Sequence, residues 1–235
     1  MIQLADSVLR LAEIARQAGQ ATTAVAEPWP LVARLEARTS DGHADRDTLR
    51  LLARARVSLG VALGHVLPEE RPAAAARWTG KGLSVARRLG DPALHTHALR
   101  HHGNEFRKAG LHVRALDRLE QARDTARTAT ERAEAVVLLA RAAGAAGNGA
   151  VFDKAIEDGR RLLGEAAPTA LLSEFTLHEV RLRGLMGTGR VTEAVRQLDQ
   201  APAAGPAATS QWRIIAAITA GEVLLRRGDT SGATR

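Results

Sequence analysis

Cysteine is absent from the 235 residues, and so is tyrosine. The first absence excludes disulfides, thiolate metal sites and cysteine nucleophiles, and it is compatible with a reducing cytoplasm. Aromatic residues are scarce, three Trp and three Phe, so a core must be built from Leu, Val, Ile and Ala, which favours closely packed helices over a β-sandwich. Lysine occurs only at 81, 108 and 154, leaving thirty of the thirty-three basic residues as Arg. With the abundant Ala and Gly, this bias is the kind associated with GC-rich coding. No run of 18 apolar residues exists, and Met1-Ile2-Gln3-Leu4-Ala5-Asp6 opens an amphipathic helix without the basic head of a signal peptide. The expectation is a soluble, cytoplasmic chain with no membrane partner. The chain also has no Gly-rich phosphate loop with Lys, no GxSxG, no HExxH and no paired-carboxylate motif. No catalytic residue, metal site or cofactor is therefore assigned, and an enzyme is not expected.

A formal net charge of +7 and a pI near 11.1 raise the question of nucleic acid. The arginines, however, are interleaved with acids, as in Arg114, Asp117, Arg118, Glu120, Arg123 and Asp124. That pattern describes a solvated helix face laced with i,i+4 pairs, so direct nucleic-acid binding is not expected of this chain. The stretch LAEIARQAGQATTAVAEPW, residues 11–29, faintly resembles a helix-turn-helix. Its second helix would run into Pro28-Trp29-Pro30, at a cost of roughly 3 kcal/mol for proline inside a helix, and the reading is rejected.

What the chain does have is repetition. His95 to Ala126 reads as two helices. The first has Gly103 in its middle and Phe106 one turn on, and stops at Lys108-Ala109-Gly110. The second has Ala115, Leu116, Leu119 and Ala122 on one face. Small residues at 103, 115 and 122 let the two backbones approach, and Gly110 suits a helix C-terminus that needs positive φ. Similar pairs follow from the apolar spacing: 45–66 with 71–89, broken at Pro68-Glu69-Glu70; 130–146 with 152–163; and 171–186 with 191–198. Residues 211–227 form a last first helix, whose partner would begin after Gly228-Asp229-Thr230-Ser231-Gly232-Ala233. The second-helix alanines fall at 115, 155, 194 and 233, in steps of 40, 39 and 39. Such a period marks a solenoid, in which each unit buries its face against its neighbours. Earlier in the chain, residues 2–18 read as a helix with Leu4, Val8, Leu11, Ile14 and Ala15 on one side, and 31–37 as a short helix. The segment Pro202 to Pro206 is the most linker-like.

Gly103, Phe106, Gly110, Ala115 and Ala122 resemble the pattern of a tetratricopeptide repeat (TPR), with Leu99 where that family often has Trp. The resemblance implies an all-α fold, a TPR-like right-handed superhelix (α-solenoid) of antiparallel helix pairs. The period of about 39–40 exceeds the family's roughly 34, so longer helices are expected. It covers residues 45–235, with an incomplete last repeat, and leaves 1–44 as atypical N-terminal capping helices. Ile214, Ile215, Ile218, Val223 and Leu224 would then lack a full partner helix, as expected of a chain cut from a longer one or covered by a second copy in a homodimer.

In a TPR superhelix the first helices line the concave side. With Gly103 packed inward, His97, Arg100, His101, Asn104, Arg107 and Lys108 share one stripe. The same phase adds Arg54, Ser58, Glu134, Arg141, Glu179, Arg183, Glu222 and Arg226 from neighbouring repeats. Asn offers a peptide both donor and acceptor, and Arg pairs with carboxylate. The resemblance implies a peptide, protein or small-molecule ligand here. His95, His97, His101 and His102 are read as exposed or groove-lining side chains rather than metal ligands, with His97 and His101 titrating near neutrality.

HGNEFRKAG, with ARRLGDPAL before it, resembles the C-terminal TPR region of actinobacterial helix-turn-helix (XRE-type) transcriptional regulators. This implies a sensor that couples ligand binding to a linked domain. Two alternatives are a scaffold joining two proteins, and an enzyme of a biosynthetic cluster using the groove as a reaction chamber.

Overall fold

The structure, a computed structural model, describes residues 2–66, 72–205 and 208–228. Among these there is no strand, and twelve helices account for most of the chain. They are α1 (Ile2–Gln17), α2 (Ala21–Ala26), α3 (Pro28–Ser40), α4 (Arg46–Val66), α5 (Pro72–Leu89), α6 (Pro92–Lys108), α7 (His112–Thr125), α8 (Ala129–Ala145), α9 (Gly149–Leu163), α10 (Glu174–Gly187), α11 (Val191–Leu198) and α12 (Ser210–Arg227). Two compact units divide at the end of α7: Met1–Thr125 and Ala126–Arg235.

Local chemistry sets most boundaries. Asp91, Thr128, Asn148, Ser173 and Thr209 each cap the helix that follows, accepting a backbone N–H through the side-chain oxygen. Gly110 (φ 70°) and Gly189 (φ 79°) turn the chain between paired helices in a conformation other residues resist. The α3 helix begins at Pro28, three residues before the start expected from the sequence, because prolines in a first turn surrender N–H groups that have no intrahelical acceptor anyway. By contrast α10 starts at Glu174, not 171: Thr169 Oγ1 accepts the N–H groups of Leu171 and Leu172 and holds that segment in a turn until Ser173 caps the helix.

In the first unit α4 pairs with α5 and α6 with α7, while α5 and α6 also pack together and α1, α2 and α3 lie on α4. The core between α1, α3 and α4 is built from Leu9, Leu31, Val32, Leu35, Leu51, Leu52 and Leu59. A second cluster, with Val57, Val61, Val85, Leu94 and Ala98, joins α4, α5 and α6. Arg56, which falls where the repeat pattern has an apolar residue, reaches Glu36 of α3 with Nη2 at 2.8 Å. The expected face of α1 is corrected. Ala5, Leu9, Ala12 and Ala15 are buried, and Leu4, Leu11 and Ile14 point to solvent. The alanine side lets α1 lie close on its neighbours, which the larger side chains would prevent.

In the second unit α8 pairs with α9 and α10 with α11, and α10 also packs on α8, α9 and α12. The repeat alanines Ala115, Ala155 and Ala194 are all fully buried, and Ala233 lies outside the described residues. So do the break at Pro68-Glu69-Glu70, Pro206 at the end of the linker-like segment, and the turn after Gly228. On α12, Ile214 and Ile218 are exposed, Ile215 and Leu224 half-buried, and Val223 buried.

Gly103 sits where the phase of α6 required. A Cβ there would lie 2.7 Å from Leu119 Cγ and 3.2 Å from Arg118 Cβ on α7. Gly103→Leu is therefore expected to destabilise by roughly 1–3 kcal/mol through overpacking, measured by urea unfolding; an unchanged midpoint would contradict this crossing.

Candidate functional site

Each unit carries a polar wall, and both arise from first helices. In the first unit the stripe on α6 is assembled by helical spacing alone. His97 and His101 are four residues apart, and their rings meet edge-on at 4.5 Å between centroids. Arg100 lies between them, with Nη2 3.3 Å from His101 Nε2 and 3.5 Å from His97 Nδ1. One turn on, Arg107 Nε donates to Asn104 Oδ1 at 3.0 Å, and Lys108 Nζ donates to Glu105 Oε1 at 2.8 Å. All six expected residues thus stand along one helix, most of them half-buried, and pinned in place by bonds within the stripe.

The electrostatics of this wall draw in α1 and α4. Arg16 of α1 acts on His101 and Glu105, Arg54 of α4 acts on His97, and Arg100 acts on Glu13 of α1. Arg54 itself pairs with Asp6. The surroundings of the histidine pair bear on the titration expected of it. Desolvation and the charges of Arg100 and Arg54 lower the pKa of His97, although its side chain is exposed. Desolvation, His97 and Arg100 do the same to His101. Surrounding cations make a further positive charge costly, so the half-buried His101 ring is neutral at pH 7.

His102 is also corrected, because it leaves the stripe. It is buried against α5, with Nδ1 3.0 Å from Thr79 Oγ1 and its ring tilted on Phe106 at 4.1 Å. Position 102 lies about a third of a turn round from the stripe, so helical periodicity alone separates it from His101. Glu105 was not anticipated. Its carboxylate is 1% exposed and lies on the bare backbone of Gly64 in α4; burial raises its pKa, and Lys108 opposes that rise. The missed signal was Gly64 itself, a second glycine on α4 four residues after Gly60.

In the second unit the structure brings together Arg141 of α8 with Glu179 and Arg183 of α10. Glu179, 1% exposed, accepts from Arg183 Nε at 3.1 Å and from Thr219 Oγ1 of α12 at 2.9 Å. Arg183 Nη2 donates to Thr219 Oγ1 at 2.6 Å, and Nη1 lies 3.7 Å from Glu222. The Arg141 guanidinium stacks 4.9 Å from the centre of the Trp212 ring. Glu134 is half-buried on α8, two turns before Arg141 on the same face. Thr219 and Trp212 were not expected, because their roles depend on how α12 crosses α10 and not on any local motif.

Among the described residues no three His, Cys, Asp or Glu side chains gather in a way that would hold a metal ion. A shallow cavity of about 430 Å³ lies between the start of α1 and the start of α4, and is lined in part by Ile2, Arg38, Asp45 and Asp47. Its Asp45 is already committed to Thr48 in the first turn of α4. No described helix is long and apolar enough to cross a membrane.

No protein-family model matches the sequence, and a search of curated proteins returns no relative. Similarity lies in solved structures. One is a Rap protein in complex with Competence and Sporulation Factor, which matches with a TM-score of 0.68 at 16% identity over 99% of this chain. The present chain spans 61% of that protein's length. At this identity the match speaks for the fold, and it agrees with the helix pairs described above: the chain has an all-α, TPR-like architecture.

Proposed function

We propose that this chain is an interaction domain that takes a peptide, a protein or a small ligand on the polar walls of its first helices. The observation that carries the reading is the α6 stripe. Asn104, Arg107 and Lys108 are held in register by bonds along one helix face, so a ligand would meet groups whose ordering entropy is already spent. A Rap protein of the same fold is solved holding a separate factor, which supports the reading at the level of architecture. Residues 1–44 would serve as capping helices for a repeat array over 45–235. The finer reading is a sensor within a bacterial transcriptional regulator. A ligand preferring one conformation of the helix pairs would shift the population toward it and alter how a linked domain is presented.

The test uses fluorescein-labelled randomised decapeptides and anisotropy. Asn104→Ala combined with Arg107→Ala is expected to weaken binding by roughly 1.5–3 kcal/mol, as for the loss of hydrogen bonds involving a charged group. Unchanged affinity in a folded variant removes these residues from the site. A scaffold for a stable protein partner is the second reading, favoured by the exposed Leu4, Leu11 and Ile14 of α1 and by Ile214, Ile218 and Leu225 of α12. Light scattering on the purified chain distinguishes self-association from a partner supplied by the cell.

A further inference from the structure

The charge of α5 sets it apart. It carries Arg77, Lys81, Arg87 and Arg88 and no acidic residue, whereas every other described helix with Arg or Lys also has Asp or Glu. Arg77, Lys81 and Arg88 follow at spacings of four and seven residues, so they share one face, and all three are exposed. None of the four side chains forms an ion pair or hydrogen bond with another described residue. Asp91, just past the helix, is engaged elsewhere, capping α6 and pairing with Arg50. An ordinary solvated face in this protein differs: α7 sets Asp117 beside Arg118 and Asp124 beside Arg123 as ion pairs.

Two tryptophans adjoin the α5 face. Lys81 Nζ lies 4.3 Å from the centre of the Trp78 ring, and Trp78 packs on the core of the first unit. Its ring meets Trp29 of α3 edge-on, with 6.0 Å between centroids. Pro28 and Pro30 fix the first turn of α3 around Trp29, yet Trp29 is 49% exposed. A positioned indole left half in water, beside cations without partners, has the make-up of an interface anchor, since it offers a large apolar area at low ordering cost.

The cations call for an anion, and their arrangement favours one kind. Carboxylates on a helix laid along α5 repeat at the same spacings of four and seven, and an apolar residue beside them covers Trp29. A single nucleic-acid strand needs open aromatic faces for its bases, and Lys81 already lies on the Trp78 ring. A bilayer surface needs a broad apolar face, but the other exposed residues of α5 are Ala73, Ser84 and the cations.

We propose that the exposed face of α5, with Trp29 at its edge, docks an acidic helical segment of a partner protein. Its carboxylates lie on Arg77, Lys81 and Arg88, and an apolar side chain covers Trp29. This surface belongs to a second helix and goes beyond the first-helix walls, whose role does not depend on it.

The experiment measures anisotropy of the full chain with a fluorescein-labelled helical peptide of about twenty residues. Glu stands at the matching spacings with Leu beside it, and a control peptide has Gln in place of Glu. At low salt the Glu peptide is expected to bind roughly tenfold tighter than the control, a preference that fades as salt is added. Arg77→Gln, Lys81→Gln and Arg88→Gln together are expected to erase the preference. Trp29→Ala, which leaves every charge in place, is expected to weaken binding about fivefold. Circular dichroism confirms that each variant is folded; Lys81→Glu alone, expected to weaken the Glu peptide about threefold or more, reads the same surface if the triple variant is not. Equal or absent binding of the two peptides, a preference that survives the triple variant, or Trp29→Ala binding as tightly as wild type overturns the proposal. So does tighter binding of single-stranded oligothymidine or phosphatidylserine vesicles to wild type, lost in the triple variant. None of these results bears on Asn104 and Arg107, so the reading of the α6 stripe is tested apart.

Discussion

Replacing Gly184 by Leu is expected to cost about 3 kcal/mol or more. Two neighbours leave no room. On one side the ring of Phe152, 1% exposed, occupies the space that a Cβ would take. On the other side Gly184 faces Gly144: a Cβ on Gly144 would lie 2.6 Å from Gly184 Cα. The crossing of α8 and α10 is therefore backbone against backbone, and the Phe152 ring packed beside it is itself buried and cannot swing aside as the end of a flexible side chain can. At Gly103 the first obstacle is a leucine side chain at 2.7 Å, farther off and more easily shifted than a buried aromatic ring, so the expected cost there is smaller. In thermal unfolding the Gly184→Leu loss corresponds to roughly 6–12 °C for a chain of this size. Hydrogen exchange should show the lost protection concentrated in α8 and α10. A midpoint within 2 °C of wild type, by the same conversion about 1 kcal/mol or less, would mean that this helix crossing is wrong.

Acidification is expected to destabilise the first unit through His102. Desolvation, assisted by Arg118, lowers this imidazole to about 4, against about 6.5 for an unperturbed side chain. The folded state therefore resists a proton that the unfolded chain accepts. Above about pH 6.5 the ring is neutral in both states, and its contribution is fully present. As the pH falls from there toward 4, the unfolded state binds the proton first and stability declines by at most about 3 kcal/mol. His101 is shifted in the same direction and steepens the decline. His102→Gln keeps a hydrogen-bonding group near Thr79 Oγ1 and removes the titration. Between pH 6 and 4.5 its plot of unfolding free energy against pH should be shallower than wild type by up to about 1.4 kcal/mol per pH unit. Parallel plots would show that His102 takes up its proton in the folded state without penalty.

These two results rest on features of unequal visibility in the sequence. The phase of α6 followed from Gly103 and the apolar positions around it, and the same phase placed the whole stripe from His97 to Lys108. It also contained the information that His102 departs from that stripe, since a helix advances about 100° per residue. The depressed His101 was not visible, because its state depends first on desolvation by the helices packed around it, then on His97 and Arg100 of its own helix and on Arg16 of α1, 85 residues distant in sequence. The α1 face was misjudged for a related reason. Leu4, Leu11 and Ile14 form the stronger apolar pattern, but Ala5, Ala12 and Ala15 permit the closer approach, and packing against α4 favoured the latter.

By itself the sequence determined where helices begin, turn and pair, since caps such as Asp91, turn glycines such as Gly110 and the recurring buried alanines act over a few residues of contiguous chain. Only the tertiary structure decided which polar groups are satisfied. Glu105 on Gly64, Arg183 between Glu179 and Thr219, and Arg141 on Trp212 are encounters between helices. Desolvation and charge pairing depend on what arrives from the neighbouring helix, and helical periodicity specifies a residue's face without specifying what that face will meet.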